Sequence, residues 1–234
     1  MQLFYNPQIQ KTDLSFVFDK EESKHIVKVL RKNSGDILHV TNGNGYLFTT
    51  EITVASDSKC TVAIKKWEFK ENTNYRLHIA IAPTKMNERL EWFLEKATEI
   101  GIHEITPIIC ENSERKIIKI ERLQKIIESA MKQSLQVYLP KLNEPISFKQ
   151  FINQENSDSK YIAHCEETTK NSFKKALKLN GKYSILIGPE GDFSGKEIQL
   201  ALDANYYPVT LGETRLRTET AALVACHSVA FFNE

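Results

Sequence analysis

Two stretches in the C-terminal third of the chain combine glycine, charge and hydroxyl groups more densely than a plain turn requires. The first, Ile187-Gly188-Pro189-Glu190-Gly191-Asp192, follows the apolar run Tyr183 to Ile187. Glycine lets a ligand approach the backbone closely, and the proline stiffens the turn. The second, Leu211 to Ala222, joins Gly212, Arg215, Arg217 and the triplet Thr218-Glu219-Thr220 to the start of an Ala-rich helix. Open α/β sheets bind ligands beyond the carboxyl ends of their strands, and both stretches fall at such ends. A plainer reading stands beside each. The first can be a strand-to-helix turn closed by the capping box Ser194-Gly-Lys-Glu197. The second can be a salt-bridged surface turn with Thr218 as helix N-cap. That leaves unexplained why two arginines and Glu219 crowd one loop beside a glycine.

Phosphate-cradling cofactors do not fit these loops. A P-loop needs four residues between its first glycine and Gly-Lys, then Ser or Thr. That register before Gly195-Lys196 puts Glu190 where glycine is required, and Glu197 follows the lysine. No G-x-G-x-x-G follows a strand. Cys60, Cys110, Cys165 and Cys226 are far apart and make no zinc-type spacing, so they read as reduced apolar residues and no metal is expected. His39, His78, His103 and His227 read as structural or exposed.

The elements that would position the two loops alternate along the second part of the chain. Apolar runs at Leu77 to Ala82, Ile105 to Cys110, Tyr161 to Cys165, Tyr183 to Ile187 and Tyr207 to Leu211 predict strands. Glu88 to Ile100 predicts a helix, with Leu90, Phe93, Leu94, Ala97 and Ile100 on one face and Gly101 as its C-terminal cap. Lys119 to Val137, Phe173 to Leu179 and Thr218 to Phe232 predict further helices. This alternation implies an α/β fold built on a mostly parallel sheet with flanking helices. Residues 1–72 differ: a short helix at Ser23 to Arg31 is followed by strands at Asp36 to Thr41, Tyr46 to Val54 and Cys60 to Ile64, with a turn at Asn42-Gly43-Asn44-Gly45. They predict a small β-barrel, with a boundary near Lys70 to Asn74.

With 31 Lys plus Arg against 30 Asp plus Glu, the net charge is +1, so any nucleic-acid surface must be local. No basic leader and no long apolar run is visible, which gives the expectation of a cytoplasmic protein without membrane contact.

The pair LIGPEGDFSGKE (186–197) and LGETRLRTETAA (211–222) resembles the signature motifs of the RsmE methyltransferases, in order and at their spacing. These belong to the SPOUT class, whose C-terminal part is a deep trefoil knot. The resemblance covers nearly the whole chain. HIVKVLRKNSGD (25–36) with TNGNG (41–45) is similar to the family's PUA-like RNA-binding barrel. Ala82-Pro83-Thr84-Lys85, KATEIG (96–101) and Ser113-Glu114-Arg115 match further segments. Two departures are visible. Lys132-Gln133-Ser134-Leu135-Gln136 lacks the flanking Glu and Arg of Glu-Gln-Ser-x-Arg, and Gly191-Asp192 replaces a Gly-Gly pair.

The resemblance implies a PUA-like barrel over 1–72 and a SPOUT knotted domain over 73–234, using S-adenosylmethionine to methylate N3 of a uridine in 16S ribosomal RNA, with the 30S subunit as substrate. It implies a cofactor site made of His164, Ile187, Gly188, Pro189, Glu190, Gly191, Leu211, Gly212, Leu216, Arg217, Thr218 and Ala221, largely through backbone groups. N3 must lose a proton and its ring gains charge, so a carboxylate and an arginine are needed; Glu219 and Arg217 are the candidates, with Glu190 the other carboxylate. The alternative is that Glu219 and Arg217 pair with each other and fix the loop. RNA contacts are expected from Lys28, Arg31, Lys85 and Arg115. The apolar last helix, with Leu223, Val224, Val229 and Phe231, fits a homodimer. Other SPOUT acceptors and a non-catalytic assembly factor remain as rival readings.

Overall fold

In the computed structural model, which describes residues 2–154, 159–166 and 169–234, the chain divides into two compact units. One comprises Met1–Asn72 together with Met131–Leu139, and the other Thr73–Ala130 with Pro140–Glu234.

The first unit is a five-stranded sheet. Its strands are β1 (Leu3–Tyr5), β2 (Ser15–Val17), β3 (Ile37–Thr41), β4 (Tyr46–Val54) and β5 (Thr61–Phe69), in the order β1-β3-β4-β5-β2. No pairing joins β1 to β2, so the expected barrel is an open half-barrel among the described residues. Phe4, Phe18, Ile26, Val40, Phe48, Ile52 and Val62 fill it. Helix α1 (Lys20–Lys24) starts earlier than the sequence predicts, because Asp19 caps it by accepting from Glu22 N at 2.8 Å. Ser23, the expected first residue, is instead a buried link: its hydroxyl donates to Phe18 O and accepts from Cys60 N. The chain then widens into a π-helical turn, His25–Val29, and leaves it through Arg31 at φ 55°.

The 42–45 turn carries a second role. Gly43 (φ 76°) and Gly45 (φ 89°) bring the backbone against the 131–139 segment, with Gly45 N donating to Val137 O and Leu139 N to Gly43 O, each at 2.9 Å. A Cβ on Gly45 would stand 2.4 Å from Tyr138 Oη. The predicted helix to Val137 therefore stops short: α3 (Ile120–Gln133) ends before Leu135, at φ 57°, and the chain beyond it runs beside the turn.

The second unit is an eight-stranded sheet in which every pairing among the described residues is parallel. Its strands are β6 (Arg76–Ile81), β7 (Glu104–Ile109), β8 (Lys141–Leu142), β9 (Ile146–Ser147), β10 (Ser159–Ala163), β11 (Asn171–Ser172), β12 (Lys182–Ile187) and β13 (Tyr207–Thr210). The order is β11-β13-β10-β12-β6-β7-β8, with β9 also on β7. The helices are α2 (Asn87–Ile100), α4 (Phe148–Ile152), α5 (Phe173–Ala176), α6 (Gly195–Asp203) and α7 (Thr218–Phe232). Ala80, Ile108, Ile162 and Leu186 pack with α4 and α6 through Phe148, Phe151, Ile198 and Ala201. Alternate residues such as Ile79, Ile81, Ile185 and Ile187 point to the other face, where α7 packs on β6 and β12 and α2 on α7. Burial on both faces is why these strands read as continuous apolar runs.

At the amino ends of β6, β7 and β8 sits a saturated polar network. Glu104, 6% exposed, is ion-paired with Arg76 and with Lys141 at 3.1 Å, and accepts from Asn143 at 2.8 Å. Asn143 also donates to Thr106 Oγ1, which His78 Nε2 meets at 2.7 Å. Burial opposes ionisation of Glu104, but Asn143, His78, Arg76 and Lys141 together outweigh it and hold the carboxyl at about 2. His103 uses both ring nitrogens, on Thr73 and Leu77 N. Burial, aided by the Arg76 charge, lowers it to about 4.

Candidate functional site

The carboxyl ends of β10, β12 and β13 open into a cavity of about 310 Å³, adjoined by a lobe of about 90 Å³. Ala163, Cys165, Arg215, Leu216 and Ala221 border both spaces. Of the residues the sequence proposes for a cofactor, Ile187, Gly188, Pro189, Glu190, Arg217 and Thr218 line the larger space. His164, Leu211 and Gly212 line the smaller one, and Leu216 and Ala221 both. Gly191 stands apart: it faces Asn112, whose Nδ2 donates to its carbonyl at 3.2 Å.

The β12 loop is held by its own side chains. Ser194 and Glu197 form both halves of the capping box, and Glu197 also accepts from Glu111 N at 2.9 Å. A Cβ on Gly188 would meet the Phe193 ring at 3.0 Å, so glycine here lets that buried ring close under the loop. Asp192 does what sequence reading missed. It sits at φ 62°, a conformation open to Gly and tolerated by Asp, which explains how aspartate can replace a family glycine there. Its Oδ2 accepts from Cys165 N at 2.7 Å and its Oδ1 from Phe193 N at 2.9 Å, tying the end of β10 to the β12 loop.

Glu190 lines the cavity with one oxygen fixed: Oε1 accepts from Lys85 N at 2.9 Å. Oε2 is buried and has no hydrogen-bond partner among the described residues. The Lys85 loop is braced from behind by Arg115, which donates to Lys85 O at 2.7 Å and to Thr84 O at 3.3 Å. The guanidinium expected to grip RNA is thus engaged on backbone carbonyls. Lys85 Nζ is exposed and paired with Glu114 at 2.8 Å. In the first unit Lys28 is exposed and paired with Asp57 at 3.5 Å, and Arg31 is exposed.

The β13 loop is looser. Gly212 to Arg215 are exposed, and Thr210 Oγ1 donates to Gly212 O at 2.6 Å. Thr218 is the first residue of α7, not its cap. The cap position is Arg217, which makes no side-chain capping bond. The Thr218 hydroxyl donates instead to Gly188 O at 3.0 Å, joining the two loops. Arg217 is exposed on the cavity wall. Glu219 does not line the cavity and does not pair with Arg217. It is buried, with Oε1 3.9 Å from Arg89 Nε of α2 and Oε2 without a partner among the described residues. His164 is also buried, its Nδ1 unpartnered among the described residues, and burial first, then the Lys170 charge, lowers its pKa.

The site therefore offers apolar walls, backbone edges, two unsatisfied polar atoms (Glu190 Oε2 and His164 Nδ1) and exposed arginines. Such a space suits a small molecule held by shape and a few polar contacts. Residues 70–230 match the family model described as RNA methyltransferase domain, and residues 18–65 that described as RNA methyltransferase PUA domain. A protein of Buchnera aphidicola subsp. Acyrthosiphon pisum named ribosomal RNA small subunit methyltransferase E is 35% identical over 90% of this chain and 85% of its own. The crystal structure of a probable rRNA-methyltransferase from Porphyromonas gingivalis is 41% identical and superposes with a TM-score of 0.91, covering 100% of this chain and 98% of that one. A putative methyltransferase from Legionella pneumophila, solved in complex with the cofactor SAM, is 29% identical with a TM-score of 0.85, covering 96% and 94%.

Proposed function

We propose, since the chain belongs to the RNA methyltransferase family, that it transfers the methyl group of S-adenosylmethionine to N3 of one uridine in 16S ribosomal RNA, acting on the assembled 30S subunit. The observation that carries this reading is the cavity where the β12 and β13 loops meet, of a size that fits a nucleoside cofactor and edged by unsatisfied polar atoms.

The cofactor, when bound, supplies a methyl group already activated as a sulfonium. The chain's part is to orient, to exclude water and to manage one proton. Ile187, Gly188, Leu211 and Leu216 would hold the adenine through backbone groups and apolar contact. Pro189, Gly212, Thr218, Ala221 and His164 would complete the cradle, with the Glu190 carboxylate on the wall of the larger space and Gly191 outside the lining. Arg217, exposed on the wall, would stabilise the negative charge that develops on the uracil ring.

The same reading assigns residues 1–72 to RNA grip and 73–234 to methyl transfer, with Lys28, Arg31, Lys85 and Arg115 toward the RNA. It makes the C-terminal part a trefoil knot; the return of the chain from β13, on one side of β10, to pack α7 on β6 and β12 supports that threading. Met86, Trp92 and Phe231, exposed on or beside α2 and α7, support a homodimer. No described helix is long and apolar enough to cross a membrane, and a ribosomal substrate fits a cytoplasmic place of action.

The test is methyl transfer from labelled S-adenosylmethionine to 30S subunits and to bare 16S RNA, with mass spectrometry of the digested nucleosides. N3-methyluridine at one position is the expected product, with 30S the better substrate. Label on ribose or guanine would overturn the acceptor; RNA binding without transfer would overturn the activity. Phosphate contacts by Lys28, Arg31 and Lys85 predict a binding constant that falls steeply with salt.

A further inference from the structure

Methylation at an imide nitrogen needs a proton acceptor, and of the described carboxylates Glu190 and Asp192 line the larger cavity. Asp192 has both oxygens occupied by backbone N–H groups of Cys165 and Phe193. Glu219 is turned away, toward Arg89, and does not line the cavity. Glu190 lines it, and its buried Oε2 has no hydrogen-bond partner among the described residues. Its other oxygen is pinned by Lys85 N, and the Lys85 loop by Arg115, so the carboxylate is oriented before any ligand arrives. His164 borders the smaller lobe, between Ala163 and the Leu211-Gly212 wall, rather than the larger space.

From this geometry we infer that Glu190 is the catalytic base, its free Oε2 taking the N3 proton of the target uridine, while Glu219 positions the α7 end through Arg89. The inference rests on the uridine-N3 reading given above. The N3–H bond breaks as the proton passes to Oε2. The electron pair left on nitrogen forms the new N–CH3 bond, and the pair of the breaking C–S bond stays on sulfur as a neutral thioether. The proton then leaves Glu190 for solvent, so one turnover releases one proton. Arg217 on the same wall offsets the ring charge during transfer.

Glu190→Gln separates the two jobs of the side chain. Glutamine keeps an oxygen for Lys85 N but presents an NH2 group where Oε2 was. The measurements are calorimetric titration with S-adenosylhomocysteine and single-turnover methylation of 30S subunits across pH. In Glu190→Gln the affinity is expected to stay within about threefold while the rate falls about 10²–10⁴-fold. Its rate is expected to climb about tenfold per pH unit over roughly pH 7 to 9, as the imide ionises unaided, where the native enzyme is nearly flat. Glu219→Gln is expected to lose thermal stability and to keep the native shape of the profile. Glu190→Asp, which keeps the acid on a shorter arm, is expected to be slower but flat, and serves if the glutamine variant does not fold.

A native rate and profile in Glu190→Gln, or a steep profile in Glu190→Asp, would overturn the assignment. So would a loss of S-adenosylhomocysteine binding in proportion to the loss of rate, which would make Glu190 a cofactor ligand. Product analysis of the native enzyme keeps the two readings apart. Methyl on ribose or guanine sinks the N3 reading itself, whereas N3-methyluridine with an unimpaired Glu190→Gln sinks only the role of Glu190.

Discussion

The two ends of the parallel sheet are built on opposite rules. At the amino end, Glu104 meets Arg76, Lys141 and Asn143, and His103 uses both its nitrogens. At the carboxyl end, Glu190 Oε2, His164 Nδ1 and Glu219 Oε2 are buried without partners among the described residues. A buried polar atom left unmatched costs about 1–3 kcal/mol, so the second arrangement is a standing cost in the free protein. It gives a ligand something to satisfy, whereas Glu104 and His103 at the first end are already engaged. Stability and binding are thus sited at opposite edges of one sheet.

The largest test of that division of labour on stability is Glu104→Ala. It strips the network of its shared acceptor and is expected to cost about 2–3 kcal/mol in urea unfolding, with S-adenosylhomocysteine affinity unchanged in the folded protein. Loss of affinity in step with stability would break the comparison. Acid comes next. The folded carboxyl of Glu104 lies at about 2 against an ordinary 4.5, so its contribution is present above the ordinary value and is lost as pH falls toward the folded one. His103, at about 4 against 6.5, likewise stabilises fully only above 6.5 and loses that contribution as pH falls through about 4. Unfolding free energy measured from neutral pH down to about 3 is expected to decline in that order, histidine first, and Glu104→Ala to lack the later part. Thr218→Val removes the buried bond to Gly188 O and is expected to cost about 1 kcal/mol, read by the same denaturation. Arg215→Ala, on the exposed β13 loop, is expected to shift unfolding by no more than about 0.5 kcal/mol while weakening RNA binding.

Much of the second unit is legible from local pattern. The Ser194 capping box forms with both its bonds, Gly101 caps α2 at φ 102°, and α7 spans Thr218–Phe232 as its apolar run predicts. Those features depend on neighbours within a few residues. What the sequence hides depends on distant partners. Nothing local links Glu219 to Arg89, Glu190 to Lys85, or Asp192 to Cys165. The pairing of Glu219 with Arg217 is the natural guess from spacing alone, yet the helix start turns one residue to the cavity and the other inward. The family motifs name residues that, Gly191 apart, line one pair of adjoining spaces, because motif spacing records loop position. They do not say which side chain within a loop is free to act.

The 131–139 segment beside the Gly43-Gly45 turn carries a consequence for how the protein is made. Val137 supplies carbonyl contacts to Thr41 and Gly45, and its side chain is buried with Leu3 and Leu47. The half-barrel is therefore incomplete as a stretch of 72 residues, and its last piece is synthesised only after β6, α2 and β7. A growing chain ordinarily folds its first domain first. Here the ribosome must deliver residue 139 before the N-terminal unit can close, so the order of synthesis and the order of folding part company.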